Sequence, residues 1–152
     1  MKTKGMSFLE EKKVSYEIRE YQFNEKGAVY AASSLSWPLS AMIKSIVIKG
    51  DKDHYLALIG GDREISLKKV ASLLKEKKVI LATIEEAERI SGYKVGGISP
   101  FGFKKQVKIL LDKSLLSHEK IAINAGARGM IAILKIKDLI SILSPIIEDL
   151  SI

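Results

Sequence analysis

The residue pattern predicts an α+β fold built on a mixed sheet, and three observations carry that prediction. Strand-like runs are mostly joined by short turns, helical runs fall between them irregularly, and neither a regular βαβ alternation nor an internal repeat is present. The 152 residues should bury about 69% of the extended-chain surface, enough for one self-sufficient core and a single domain over residues 1–152. Hydrophobic residues at 47% and charged residues at 28% are ordinary globular values, which excludes wholesale disorder and low-complexity architecture.

Met6 to Lys13 predicts a short amphipathic helix, acidic near its start and closed by Lys12-Lys13, each sign suiting the helix dipole. Val14 to Tyr21 alternates with period two, the mark of a half-buried strand. A helix follows over Val29 to Leu35, ended by Trp37-Pro38 because the residue before proline is sterically barred from helix. Ile43 to Lys49 and His54 to Ile59 form a hairpin around Gly50-Asp51-Lys52-Asp53. Ser66 caps a helix through Lys75, Val79 to Leu81 is a strand, and Thr83-Ile84-Glu85-Glu86 is a capping box opening a helix to Ile90. Gly92 to Gly102, with four glycines and one proline, is a loop whose backbone can approach a ligand closely. Gln106 to Asp112, Lys120 to Asn124 and Met130 to Leu134 read as strands, and Lys137 to Leu143 as a helix.

The absence of cysteine excludes disulfides, thiolate metal sites and a protein thiol nucleophile. No apolar run has signal-peptide character or the roughly 20 residues needed to span a bilayer, so a soluble, cytoplasmic protein with no membrane partner is expected. The net charge of +7 lies wholly between Ser91 and Lys137, where nine Lys/Arg stand against two acids. Such a segment suits either a solvated face or an anionic partner.

Most chemical motifs fail on spacing. Gly97 and Gly102 have Walker spacing, but Phe103 stands where the phosphate-loop lysine belongs and no Ser/Thr follows, which argues against a nucleotide triphosphatase. His54 and His118 have no partner at metal-ligand or triad spacing, so no metal site is expected. Glu85, Glu86 and Glu88 are explained by a helix start. Lys44 is different, because it enters an otherwise apolar strand between Met42-Ile43 and Ser45-Ile46-Val47. Alternation can turn it outward, or the strand can hold its cation against an anionic or carbonyl ligand; the pattern permits both.

The run Gly92-Tyr93-Lys94-Val95-Gly96-Gly97-Ile98-Ser99-Pro100-Phe101-Gly102, followed by Lys104-Lys105, resembles the signature of the YbaK and prolyl-tRNA synthetase-associated domain family, whose members are editing deacylases for misacylated tRNA. Tyr21, Lys44, the Ser66 to Ala71 run and Asn124-Ala125-Gly126-Ala127-Arg128-Gly129 fall in the family's order. The resemblance implies a compact domain around a strongly curved mixed β-sheet, a partial barrel flanked by helices, working without metal or organic cofactor. It makes Lys44 the essential catalytic lysine. It makes Gly96, Gly97, Ile98, Ser99 and Pro100 the substrate loop, with Tyr21 in the pocket and Asn124, Ala125 and Gly126 as the substrate-facing turn. Lys94, Lys104, Lys105 and Lys108 would meet the tRNA acceptor end through phosphates. The implied activity is hydrolysis of mischarged tRNA in trans, foremost Cys-tRNA(Pro), with prolyl-tRNA synthetase as a candidate partner. The alternatives are a deacylase for alanine or serine, a non-catalytic tRNA-binding module, or hydrolysis of another small ester. Two positions depart from the cysteine-specific pattern: Asn124 replaces the usual serine, and Ile131 stands at a position commonly acidic.

Overall fold

The computed structural model describes residues 1–152 and places eight strands in two sheets. Helix α1 (Lys4–Glu11) is capped by Thr3, whose hydroxyl accepts from Met6 N–H at 3.0 Å. It therefore starts earlier than the charge pattern suggested. Strand β1 (Glu17–Glu20) is shorter than the alternating run because only these four residues pair with β7 (Met130–Lys135), while Val14 N–H is held by Leu9 O at 3.1 Å. Helix α2 (Ala28–Leu35) follows Gly27 and closes on Ser36 in a left-handed conformation.

The hairpin of β2 (Ile43–Lys49) and β3 (His54–Gly60) is as the sequence predicts, its turn closed by Gly50 N–H on Asp53 O at 2.8 Å. Helix α3 (Leu67–Leu74) is capped by the Ser66 hydroxyl, and α4 (Ile84–Ser91) opens with the reciprocal Thr83 and Glu86 box. Strand β4 (Ile80–Leu81) joins the outer edge of β2 at Ile48 and Lys49. Strand β5 (Lys108–Asp112) begins later than the hydrophobic run because pairing with β3 starts at Lys108 opposite Tyr55. Strand β6 (Lys120–Asn124) pairs antiparallel with β7, α5 spans Ile136–Leu143, and the chain adds β8 (Ile146–Glu148) parallel to β5. That last strand is absent from the sequence reading, since three residues after Pro145 display no period.

One sheet has the order β1-β7-β6 and the other β4-β2-β3-β5-β8. Their only backbone pairing is a single parallel bridge, Met42 to Ala122, so the barrel is partial. The principal core, including Leu56, Leu58, Phe101, Leu111, Ile121 and Ile123, is built from both sheets and the glycine-rich loop. A second cluster packs Val70 of α3 with Ile48, Ile59 and Leu110. A third pins α2 to the three-stranded sheet through Ala31, Ala32, Met42, Ala122, Ile131 and Ile133, and this packing sets the position of the cavity described next.

Candidate active site

Strand β2 is paired differently along its two edges. The Gly50 to Asp53 bond and the Ala82 N–H bond to Val47 O (3.0 Å) fix the phase of the ladder. In that phase the main-chain groups of Val47 and Ser45 turn away from β3. Beside Val47 the chain supplies Ala82; beside Ser45 it supplies no strand, since β4 reaches only Ile48 and Lys49 and the bridge to β6 lies at Met42. A cavity of about 260 Å³ opens in this gap.

Lys44 lines it from β2, and Val95, Gly96 and Ile98 line it from the glycine-rich loop. Tyr21 and Phe23 contribute from the segment after β1, Gly27, Ala28 and Ala31 from the start of α2, and Asn124 and Ile131 from β6 and β7. Of the residues singled out in the sequence, Tyr21, Lys44, Gly96, Ile98, Asn124 and Ile131 thus line one cavity. Gly97, Ser99, Pro100, Ala125 and Gly126 do not line it. Ser99 is fully buried and its hydroxyl accepts from Phe101 N–H at 3.1 Å, while Ala125 O accepts from the Thr3 hydroxyl.

The loop holds its shape for identifiable reasons. Gly96 has φ +95°, and a Cβ there would lie 2.7 Å from Phe23 Cζ. Gly97 packs directly on the β6–β7 turn, where a Cβ would come within 2.9 Å of both Ala127 C and Arg128 N. Asn124 fastens the same junction. Its Oδ1 accepts from Gly126 and Ala127 N–H at 2.7 and 3.1 Å, and its Nδ2 donates to Gly96 O at 3.2 Å. Asparagine therefore does here what a serine could do only in part, since one side chain closes the turn and reaches the loop. Gly97 N–H donates to Lys94 O at 2.8 Å, leaving Gly96 as the one of these two glycines whose amide has no partner in the chain.

The Lys44 ammonium donates to Arg63 O, and no carboxylate pairs with it in any of the chain's ion pairs. Beside it, the Ser45 hydroxyl is buried without a hydrogen-bond partner. Burial pushes the Tyr21 hydroxyl pKa above its ordinary value, with the neighbouring Tyr30 adding to the shift. Burial also pushes Tyr93 up to about 12, so it stays a neutral donor, its hydroxyl bonded to Phe101 O behind the loop. No group of three His, Asp or Glu side chains is assembled for a metal anywhere in the fold. No helix is long and apolar enough to cross a membrane.

The four lysines assigned to tRNA are exposed but not gathered at this cavity. Lys105 and Lys108 line a second one of about 280 Å³ with His54 and Tyr55, and Lys94 and Lys104 line neither. Sequence reasoning missed Phe23, Lys26, Ala28, Ser45 and Val95. Ser45 and Val95 adjoin residues already singled out, whereas 22–27 is an irregular segment with no period to follow.

A partial barrel with a lysine facing a glycine-rich loop defines a class, and comparison with known proteins gives the family. Residues 24–142 match the model of the aminoacyl-tRNA editing domain, and the chain belongs to that family. It is 35% identical over 132 residues to EbsC of Enterococcus faecalis, a proposed Cys-tRNA(Pro)/Cys-tRNA(Cys) deacylase, covering 85% of this chain and 80% of that one. It is 29% identical over 114 residues to the multifunctional Ser/Thr-tRNA deacylase ProXp-y of Escherichia coli, covering 74% and 68%. Among solved structures, a proposed trans-editing enzyme for prolyl tRNA synthetase superposes with a TM-score of 0.90 at 24% identity, over 98% of this chain and 95% of that one, which establishes the fold.

Proposed function

We propose that this protein is an aminoacyl-tRNA deacylase acting in trans on tRNA mischarged with a small amino acid, Cys-tRNA(Pro) foremost. One observation carries the reading: Lys44 and the Gly96 backbone face a common cavity of about 260 Å³. The family and the deacylase names of its relatives supply the reaction class.

The ester joining an amino acid to tRNA is already activated, so catalysis is chiefly a matter of orientation and of stabilising the developing oxyanion. In the proposed arrangement the unpartnered Gly96 N–H donates to the ester carbonyl as negative charge grows on it. Water attacks the carbonyl carbon and gives up a proton, the bond to the ribose oxygen breaks, that oxygen takes up a proton to become the terminal hydroxyl, and free amino acid and tRNA leave. With cysteine the substrate's own thiol can attack the same carbon instead: the bond to the ribose oxygen breaks, that oxygen takes the proton, and the cyclic thioester released is opened by water to cysteine, so neither route needs a protein nucleophile. The Lys44 cation engages the ribose or terminal phosphate, and Tyr21 with Ile98 and Asn124 shapes the wall around the amino acid. The exposed lysines Lys94, Lys104, Lys105 and Lys108 attract the acceptor stem, and prolyl-tRNA synthetase is the proposed docking partner. In this proposal the protein works where translation does, in the cytoplasm.

The deciding experiment incubates purified protein with tRNA(Pro) charged with Cys, Ser, Ala or Pro and measures amino acid release. Rapid release of Cys, with Pro retained, is expected. Release of none, together with equal affinity for charged and uncharged tRNA, would make the chain a binding module instead.

A further inference from the structure

Arg128 is held unlike the other basic residues of its segment. Its Nε donates to Val95 O at 2.9 Å, and its guanidinium lies over the Phe23 ring with the carbon 5.3 Å from the centroid. Val95, Phe23 and Gly96 all line the cavity, and a Cβ on Gly96 would sit 3.3 Å from Arg128 Nε, so the guanidinium adjoins the cavity wall from outside, Arg128 itself not being a lining residue. The residue is exposed, and its two terminal NH₂ groups have neither a carboxylate nor a carbonyl partner.

The remaining arginines differ. Arg19 is also held through Nε and over a ring, that of Trp37 at 5.5 Å, but its Nε partner is the Glu17 carboxylate, which neutralises it; Arg63 donates to Ser151, and Arg89 is exposed with no bond to hold it. A guanidinium fixed through Nε and by stacking, with its outer fork empty, is preorganised for bidentate contact with a phosphate, and little side-chain entropy remains to be lost. Lysines on flexible stems cannot offer that geometry.

We propose that Arg128 is the phosphate-binding residue that seats the single-stranded 3′ end of tRNA at the cavity mouth. This rests on the deacylase reading, which puts the ester in the cavity and hence a phosphodiester of the same strand near its rim. Arg128 is a positioning residue in this account, since the reacting atoms lie beyond it.

The test compares wild type, Arg128→Gln and Arg128→Lys on charged tRNA and on the phosphate-free nucleoside, 3′-O-aminoacyl adenosine. For Arg128→Gln the ratio of kcat/KM on tRNA to kcat/KM on nucleoside should fall about ten- to a hundredfold. The slope of log kcat/KM against log salt should flatten by about 0.7, the loss of one single-strand phosphate contact. Arg128→Lys should restore the slope but only part of the ratio. An unchanged ratio with both activities reduced would overturn the proposal, because Arg128 would then act only by clasping the loop. If wild type deacylates nothing, the deacylase reading fails separately. Filter binding of uncharged tRNA then decides the phosphate contact: equal affinity and equal salt slope for wild type and Arg128→Gln would sink it.

Discussion

Strand β2 carries a lysine near each end, and the two are treated oppositely. Lys49 sits where the strand is paired on both sides, and its ammonium lies 3.4 Å from Glu86 Oε2, which also meets His54 Nε2 at 3.2 Å. Lys44 sits where one side of the strand is open, with a backbone carbonyl for company and no acid. The same side chain on the same strand is thus a neutralised structural charge at one end and an uncompensated cation beside a cavity at the other. What distinguishes them is the neighbouring strand: β4 leads into α4, whose capping box delivers Glu86 to Lys49.

The largest effect should come from separating the two lysines by mutation. Lys44→Ala should lower amino acid release from mischarged tRNA by about 100-fold or more, the scale of losing a preorganised electrostatic group. Lys49→Ala should leave the rate within about twofold, as expected of a partly exposed pair. Equal losses in the two variants would break the contrast. Next in size, Gly97→Ala drives a methyl into the Ala127–Arg128 backbone and should cost about 1–3 kcal/mol in denaturant unfolding, the usual range for overpacking.

The closed end has its own signature in acid. Glu86 is held down to about 2, first by the Thr83 backbone N–H and then by His54. A carboxylate whose folded pKa is depressed adds stability above its unfolded pKa, and that stability disappears as pH falls through the folded value. Thermal melts between about pH 5 and about pH 2 should therefore decline less steeply in Glu86→Gln than in wild type, while Glu86→Gln is already less stable at neutral pH. The smallest effect is expected at the open end, where Ser45→Ala removes an unpartnered buried hydroxyl and should raise stability by up to about 1 kcal/mol. A loss instead would reveal a hydrogen bond formed by that hydroxyl in solution.

Much of this was legible in the sequence. The hairpin, the capping box and the loop could be read because each depends on local chemistry: turn residues, a Thr and Glu three apart, and clustered glycines. Lys44 stood out as a cation inside an apolar run, though alternation alone could not say what it faced. The rest depends on distant partners. Strand β8 exists only because β5 offers it an edge, and the committed amide of Gly97 is set by Lys94 O. Phe23 and Lys26 reach the cavity through an aperiodic segment, and Asn124 reveals its double role only once the loop lies against the turn. The resemblance supplied residue order, while the division of the loop into cavity wall and buried scaffold required coordinates.

An unpaired length of strand is ordinarily a hazard, because it templates edge-to-edge association between molecules. Here the vacant stretch of β2 lies recessed between α2, strands β6 and β7 and the glycine-rich loop, in a hollow of about 260 Å³. Polymerisation through that side would require a second chain to thread into a pit sized for one small molecule.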